Sequence, residues 1–253
     1  MAVTVNEIVE EIDRLLEPER FEDYGPNGLQ VPGRAQVETI ATGVSAHLEL
    51  FELAAAEQAD LLLVHHGIFW GTGPGPIDAP LKRRLQVLFD ADISLLAYHL
   101  PLDAHLELGN NALLADALGA EELRPFALHR GQPIGVLAEL ESPITAEELV
   151  GRTRGATARE PLVFDTGPAS VGRLAVVSGA GADYLGDAAA AGAEAFITGE
   201  PAERSMAQAR ELGVHFIAAG HYATETFGVR RLGEHLARTF DLRHRFLDVP
   251  NPV

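Results

Sequence analysis

Hydrophobic and polar positions follow two periods along the chain, one typical of helices and the other of buried strands. The N-terminal segment MAVTVNEIVEEIDRLL spaces apolar residues three or four positions apart among acidic ones, which predicts an amphipathic helix. Continuous apolar runs at residues 61–64, 93–97 and 216–219 predict buried strands. Each run follows a helix-like segment, so we expect an α/β fold with largely parallel sheets.

Glycine and proline mark the connections between these elements. GTGPGPIDAP, residues 71–80, predicts a mobile loop, and residues 154–170 predict a looser connection. The segment GAGADYLG, residues 179–186, is typical of a strand-to-helix turn, with an anion cradle at a helix start as the alternative. Asn27-Gly28 favours a tight turn, which either only reverses the chain or also shapes a site.

The chain contains an internal repeat. Residues 39–67 parallel residues 173–200, because both run from a strand through a glycine-containing turn and an alanine-rich helix to a second strand. At a constant offset Asp60 falls on Glu194. The repeat predicts an internal duplication, and independent convergence on one α/β pattern is the alternative.

The repeat continues through residues 90–103 and 212–225. In this second alignment His99 meets His221 and Asp103 meets Glu225. We therefore expect two related α/β units with a metal site between them. The first unit is expected at residues 1–125, with the C-terminal segment 217–253 packed on it, and the second at residues 126–216.

Composition narrows the class of protein. A hydrophobic fraction of 47% with 22% charged residues is ordinary for a globular protein. The absence of cysteine excludes disulfides, thiolate metal sites and a cysteine nucleophile. The acidic N-terminal helix does not resemble a signal peptide, and no apolar run approaches the roughly 18 residues that a membrane span needs. We expect a cytoplasmic protein that does not contact membranes.

The charge balance is strongly acidic, with 19 Lys+Arg against 37 Asp+Glu and a net charge of −18. This balance disfavours nucleic-acid binding, unless scarce cations cluster as at Lys82-Arg83-Arg84. Lys82 is also the single lysine. The acidity fits an ordinary acidic protein or an adaptation to high salt. The near-total absence of lysine fits that adaptation and also fits a GC-rich genome, which favours arginine and alanine codons.

Candidate ligand residues follow each buried strand. His65 and His66 come directly after the first apolar run, at the carboxyl end of a strand, where sites in α/β sheets form. His99, Asp103 and His105 follow the second run within one short loop. Neutral imidazoles and carboxylates are common ligands of divalent metal ions. The alternative for a strand-end histidine is a hydrogen-bonded core residue, and for the loop residues it is a capping or surface role.

His221 and Glu225 follow the third strand and lie one helical turn apart if a helix begins there. Three imidazoles and two carboxylates can ligate two divalent ions, with one carboxylate bridging, and leave positions open for water. The sequence contains no nucleophile elbow, Walker loop or dinucleotide-binding fingerprint after a strand. The sequence therefore favours metal chemistry.

Several motifs together resemble one known family. PNGLQV, VHHGIFW, YHLPLDAH followed by LGNNALLADALG, FITGE, AAGHYATE and the final DVPNPV are similar to the family of GTP cyclohydrolase I type 2 homologues, also called NIF-three-like proteins. The resemblance covers nearly the whole chain and is closest to the short bacterial form. One position departs from the pattern, because Tyr222 stands where another polar residue can occur.

The resemblance implies a dinuclear metal centre in a toroidal homohexamer built as a trimer of dimers. Position by position, the metal ligands that it implies are His65, His66, Asp103, His221 and Glu225. The ions would be zinc, iron or manganese, and the sequence does not choose among them.

The reaction class predicted from this centre is metal-assisted hydrolysis of a nucleotide-like small molecule, of either the GTP cyclohydrolase or the phosphoesterase type. His99 is the candidate catalytic residue, as a general base or as an orienting group. The alternative is a ring-shaped metal-binding scaffold or regulatory protein without turnover.

Overall fold

A computed structural model of the chain describes residues 3–71 and 75–253. Elements are numbered along the chain. The strands are β1 Val3–Thr4, β2 Gly28–Val31, β3 Gln36–Val37, β4 Thr39–Ser45, β5 Leu61–His66, β6 Ser94–Ala97, β7 Ala120–His129, β8 Gln132–Ile144, β9 Leu162–Phe164, β10 Val171–Val177, β11 Ala195–Thr198, β12 His215–Ala218 and β13 Arg243–Phe246. The α-helices are α1 Val5–Leu16, α2 Leu48–Ala56, α3 Ala79–Ala91, α4 Leu100–Ala104, α5 Asn110–Ala117, α6 Ala146–Thr157, α7 Leu185–Ala190, α8 Ser205–Leu212, α9 His221–Thr224 and α10 Thr226–Phe240. Short 3₁₀ helices occur at Pro18–Arg20 and Gly181–Tyr184.

The predicted N-terminal helix is confirmed as α1. The Thr4 hydroxyl caps the Glu7 amide at 3.2 Å, and the Glu7 carboxylate accepts from the Thr4 amide at 2.8 Å, which completes a capping box. Its buried face carries Val5, Ile8, Ile12 and Leu16. The predicted loop at residues 71–80 lies partly outside the described residues, and α3 begins at its end.

The chain divides into two compact units. The first contains the described residues up to Leu102 together with Gly228–Val249, and the second contains Asp103–Phe227 together with Pro250–Val253. The unit boundaries expected from the sequence, at 125/126 and 216/217, stay a prediction. No helix among residues 3–71 and 75–253 has the length and apolar character needed to span a membrane.

The first unit is built on a five-stranded sheet of order β13-β4-β5-β6-β2. The strands β13, β4, β5 and β6 are mutually parallel, and β2 is antiparallel to β6. β5 begins with the fully buried run LLLV, which packs in the core with residues of α2 such as Leu50 and Phe51. A run that is apolar on both faces is typical of a central parallel strand, as the sequence predicted.

The second unit contains a six-stranded sheet of order β7-β8-β10-β11-β12-β9. Only β10, β11 and β12 are parallel neighbours; the hairpin β7–β8 and the edge strand β9 pair antiparallel. The sheets are therefore mixed, not largely parallel as predicted. The prediction rested on the helix-like segments that precede the apolar runs, and such segments are typical of the crossovers between parallel strands. Antiparallel neighbours can be joined by a short turn, so no helix-like segment indicated them.

The two units share a strand order. In each, three consecutive parallel strands lie side by side, and a strand that precedes them in the chain pairs antiparallel with the third. Asp60 accepts hydrogen bonds from the backbone amides of Glu38 and Thr39 at 2.8 and 2.9 Å. Glu194 accepts in the same way from two amides at the start of β10, at 2.6 and 3.0 Å. These two acids therefore hold the same place in both units.

Candidate metal centre

His65 lies at the end of β5 and is completely buried. Its Nδ1 is 3.1 Å from the carbonyl oxygen of Tyr98. Because a carbonyl only accepts, this contact requires the proton on Nδ1, and a neutral ring then has its lone pair on Nε2. A hydrogen bond of this kind fixes the orientation and tautomer that a metal-ligating histidine needs.

His66 follows His65 and is half-buried. Its Nδ1 lies 3.0 Å from the Ser45 hydroxyl at the end of the neighbouring strand β4. Beyond the strand, the Gln30 side chain accepts the Ile68 amide at 2.9 Å and donates to the Pro26 carbonyl at 2.8 Å. The PNGLQ segment thus supports the turn that follows the two histidines.

His99 follows β6 and is anchored by a buried carboxylate. Its Nδ1 is 2.7 Å from an oxygen of Asp23, and its backbone amide donates to the Asn27 side chain at 2.8 Å. Burial by itself would raise the pKa of the Asp23 carboxyl, but hydrogen bonds from His99, Asn27 and the Tyr24 amide hold that pKa below its usual value. The ionised carboxylate keeps the proton of a neutral His99 on Nδ1. Asn27 therefore shapes the site, and the chain enters β2 at Gly28.

The three imidazoles of the first unit form one cluster. Ring centroids are 4.7 Å apart for His65 and His66, 4.9 Å for His65 and His99, and 5.4 Å for His66 and His99. One ligand nitrogen from each ring lies within 4.8 Å of the others. Neutral imidazoles at this spacing could hold a divalent ion of the zinc, iron or manganese type.

Asp103, on α4 in the second unit, is buried and held by two donors. One carboxylate oxygen accepts the Asn110 side-chain amide at 2.8 Å and the Ser178 hydroxyl at 3.1 Å. Asn111 links the backbones of these two residues, because its side chain donates to the Asp103 carbonyl at 3.2 Å and accepts from the Ser178 amide at 2.6 Å. The carboxylate is therefore positioned by residues from α5 and from the end of β10.

His221 and Glu225 lie at the start and just beyond the end of the short helix α9. His221 Nε2 is 3.2 Å from a Glu225 oxygen, and His221 Nδ1 contacts the Glu200 carboxylate. An oxygen of the buried Glu225 also lies within 4.8 Å of one from Asp103. The second unit thus brings together the two carboxylates and the imidazole that the sequence singled out.

The carboxylates of Glu225 and Glu200 determine the charge of His221. Burial lowers the pKa of the imidazole, but the hydrogen bonds and charges of Glu225 and Glu200 outweigh that effect and raise the pKa to about 9. In the metal-free protein the ring therefore carries a proton at neutral pH. A cation bound here would replace this proton, so the donors suit a positive charge.

His105 belongs to a different arrangement. Its Nδ1 accepts the backbone amides of Glu107 and Leu108, at 3.1 and 3.0 Å, and so closes the loop before α5. In the glycine-rich segment, the Gly179 and Gly181 amides donate to hydroxyls of Thr224 and Thr198, each at 3.1 Å. These contacts favour the turn interpretation of GAGADYLG over the anion cradle.

Sequence reasoning missed the residues that orient the ligands. Asp23, Glu200 and Asn110 each contact a candidate ligand through a side-chain hydrogen bond. Two signals were available, because Glu200 ends the FITGE motif and Asn110 opens NNALL directly after a candidate-ligand loop. Asp23 had a weaker signal, since it precedes PNGLQV without any pattern of its own.

The chain is therefore an α/β protein whose imidazole and carboxylate donors, on strand ends and on the short helices that follow them, could hold a metal ion. A family model described as Duf34/NIF3 (NGG1p interacting factor 3) matches residues 3–252, and the chain belongs to that family. This match confirms the resemblance found in the motifs.

Individual relatives match over the full length. The chain is 46% identical over 254 residues to a Pseudomonas aeruginosa protein named GTP cyclohydrolase 1 type 2 homolog, covering 100% of both chains. Among solved structures, protein ybgI, described as of unknown function, has a TM-score of 0.93 at 42% identity, covering 99% of this chain and 100% of that one. The protein TTHA1606 from Thermus thermophilus has a TM-score of 0.92 at 38% identity, with coverage of 99% and 100%.

Proposed function

We propose that the chain is a dinuclear metal protein that hydrolyses a nucleotide-like small molecule. The ligands are His65, His66, Asp103, His221 and Glu225. The observation that carries this proposal is the orientation of the donors. His65 Nδ1 is engaged by a backbone carbonyl, and Asp103 is fixed by Asn110 and Ser178, as ligands in a preorganised metal site would be.

The chemistry follows from the donor set. When bound, two divalent ions would lower the pKa of water and neutralise negative charge that develops on a substrate. The name of the Pseudomonas aeruginosa relative supports a cyclohydrolase-type reaction on GTP, and phosphoester hydrolysis suits the same donors. Zinc, iron and manganese all accept imidazole and carboxylate ligands.

His99 is the catalytic candidate among the residues of the chain. With its Nδ1 proton directed at Asp23, its Nε2 is the nitrogen that can take a proton from an attacking water. Asp23 acts as a positioning residue, because it sets the tautomer and holds the ring in place. Asn27 fixes the same loop through the His99 amide.

Assembly, cellular location and evolutionary origin are also part of this proposal. We infer a homohexamer built as a trimer of dimers and a cytoplasmic location. An internal duplication is supported by the common strand order and by the equivalent hydrogen bonds of Asp60 and Glu194. The net charge of −18 disfavours nucleic acid as a partner. Lys82-Arg83-Arg84 on α3 is a small basic cluster, and it does not offset this charge.

Metal content tests the ligand assignment. Purified wild-type protein should contain close to two ions per chain by elemental analysis, and Asp103→Ala should lose at least one, because a carboxylate ligand is removed. Asp116→Ala, which removes an exposed acid on the nearby helix α5, is the matched control and should retain both ions. Full metal content in both Asp103→Ala and Glu225→Ala would rule the assignment out.

Turnover tests the hydrolase proposal separately. The metal-loaded protein should convert one member of a panel of GTP, dinucleotides and generic phosphate esters, followed by mass spectrometry. Activity should vanish in a His65→Ala, His221→Ala double variant. A fully loaded protein that converts nothing in a broad panel supports the non-catalytic scaffold instead.

A further inference from the structure

Two half-exposed aromatic rings flank the imidazole cluster of the first unit. Trp70 lies 5.4 Å from His99 between ring centroids, with the planes at 84°, and 5.8 Å from His66. Tyr24 lies 6.0 Å from His99 at 62°. Trp70 is 47% exposed and Tyr24 is 49% exposed, so part of each residue is accessible to a ligand.

The backbone holds these two rings on adjacent segments. The Gly71 amide donates to the Tyr24 carbonyl at 2.6 Å. Gly25 lies so close to the segment that contains Phe69 that a Cβ on residue 25 would be 2.5 Å from the Phe69 carbonyl oxygen. A residue with a side chain could not keep this contact, so glycine allows the segments that carry Tyr24 and Trp70 to meet.

Exposed aromatic residues are common on protein surfaces, and single ones need no explanation. Phe89 on α3, for example, is 58% exposed without a ring contact to the cluster among the described residues. Tyr24 and Trp70 differ because both contact the same imidazole, itself a member of a candidate metal-binding cluster. Two partly exposed rings therefore lie beside the candidate metal-binding imidazoles.

We propose that Tyr24 and Trp70 form a subsite for a planar heteroaromatic ring, of the nucleobase class, carried by the ligand of this protein. This inference rests on the proposed function and specifies its substrate class. Aromatic side chains bind nucleobases by stacking, which tolerates different bases because each has a π-face. Stacking on a neutral ring also supplies affinity that the net charge of −18 does not oppose, whereas that charge repels phosphates.

Trp70 is the single tryptophan of the chain, so intrinsic tryptophan fluorescence reports directly on this subsite. Guanosine and guanosine 5′-monophosphate should quench the fluorescence of the metal-loaded protein in a saturable way. Ribose 5-phosphate, which has the sugar and phosphate but no ring, should leave it unchanged. Free N-acetyltryptophanamide corrects for absorption by the nucleoside.

Variants give a second measurement that does not depend on fluorescence. In isothermal titration with guanosine, Trp70→Ala should weaken binding by roughly tenfold to hundredfold, because one stacked contact is lost. Trp70→Phe should remain within about threefold of wild type, since a stacking face is retained. Phe89→Ala removes a comparably exposed ring elsewhere in the first unit and should bind guanosine like wild type.

The outcomes separate this inference from the proposed function. Metal content should be the same in wild type, Trp70→Ala and Phe89→Ala. Equal guanosine affinity in Trp70→Ala and wild type, or equal quenching by ribose 5-phosphate and guanosine, would overturn the ring subsite while leaving the metal centre standing. A change in oligomeric state of Trp70→Ala without a change in guanosine affinity would assign Trp70 to a subunit contact and also overturn it. Quenching by guanosine in a protein that binds no metal would support the subsite and refute the metal centre.

Discussion

At the scale of single residues, His221 is the group whose protonation depends most on its neighbours. The carboxylates of Glu200 and Glu225 contact its two ring nitrogens. The ring is only 27% exposed, so solvent screens these interactions weakly. Protonated His221 thus neutralises part of the charge of a buried acidic cluster when no metal is present.

This arrangement predicts a pH dependence of stability in the metal-free protein. The folded-state pKa of His221 is raised to about 9 from the usual 6.5, so its contribution to the free energy of unfolding is fully present below pH 6.5. That contribution is lost as pH rises through about 9, and it amounts to the order of 3 kcal/mol at about 1.4 kcal/mol per pKa unit. Urea unfolding of chelator-treated protein across this range measures the loss.

His221→Gln is the control for this pH dependence, because it keeps a hydrogen-bonding side chain that does not titrate. Its free energy of unfolding should change less than that of wild type between pH 6.5 and 9. Identical pH curves for the two proteins would contradict the proposed pairing. Metal-loaded wild type should also lose the dependence, because a bound cation takes the place of the proton.

At the scale of elements, the turn after β10 decides where Glu225 can lie. Gly179 has φ of +59°, a conformation that favours glycine, and a Cβ there would overlap a Glu225 oxygen and lie 3.1 Å from His221 Nε2. The turn therefore leaves room for these two candidate ligands through the absence of a side chain.

Gly179→Ala should both destabilise the protein and weaken metal binding. The left-handed backbone costs a residue with a Cβ about 1–2 kcal/mol, and the added methyl displaces Glu225. Elemental analysis should show the loss of at least one ion per chain. Gly186→Ala, in the same glycine-rich segment, is the control, since a Cβ there meets nothing within 4 Å. Equal metal content in both variants would show that Gly179 matters only to the turn.

The sequence predicted elements well where burial is continuous. The runs at 61–64, 93–97 and 216–219 lie within one or two residues of β5, β6 and β12. The hairpin β7–β8 was not predicted, because β7 mixes exposed charged residues with Pro125 and lacks a clean alternation. β9 has only three residues inside a segment that looked like a loose connection. Short or half-exposed strands depend on their partners, and local sequence does not encode those partners.

The residues of the candidate site also differ in how far local sequence predicts them. Candidate ligands could be recognised because they follow buried strands directly. The pairing of each ligand with its orienting residue could not be predicted, since Asp23 lies 76 positions from His99 and Glu200 lies 21 from His221. These contacts form only when loops from different strands meet at one edge of a sheet. The assignment of the five ligands stays a prediction, which metal analysis of the variants will test.

At the scale of the whole molecule, the excess of acidic residues is not balanced by ion pairs. Several arginines pair with glutamates on the surface, such as Arg14 with Glu11 and Arg152 with Glu148. Exposed pairs of this kind contribute at most about 1 kcal/mol each. With 37 acidic side chains against 19 basic ones, net repulsion among carboxylates opposes the compact state.

If the acidity is an adaptation to high salt, thermal stability should rise strongly between low and molar potassium chloride. Salt shortens the Debye length from about 10 Å at 0.1 M to about 3 Å at 1 M, which weakens both the carboxylate repulsion and the attraction within surface ion pairs. Because the repulsion is the larger of the two effects in this chain, its loss should stabilise the folded state. A gain of about 2–3 kcal/mol would raise the Tm by roughly 4–12 °C for a protein of this size. Calorimetry of metal-loaded protein at constant metal concentration measures the shift. Repeating the series near the sequence pI of about 4.8 is the control, because the net charge vanishes there and the salt effect should shrink. A Tm that stays flat with salt at neutral pH would leave genomic base composition as the explanation of the many arginines and the single lysine.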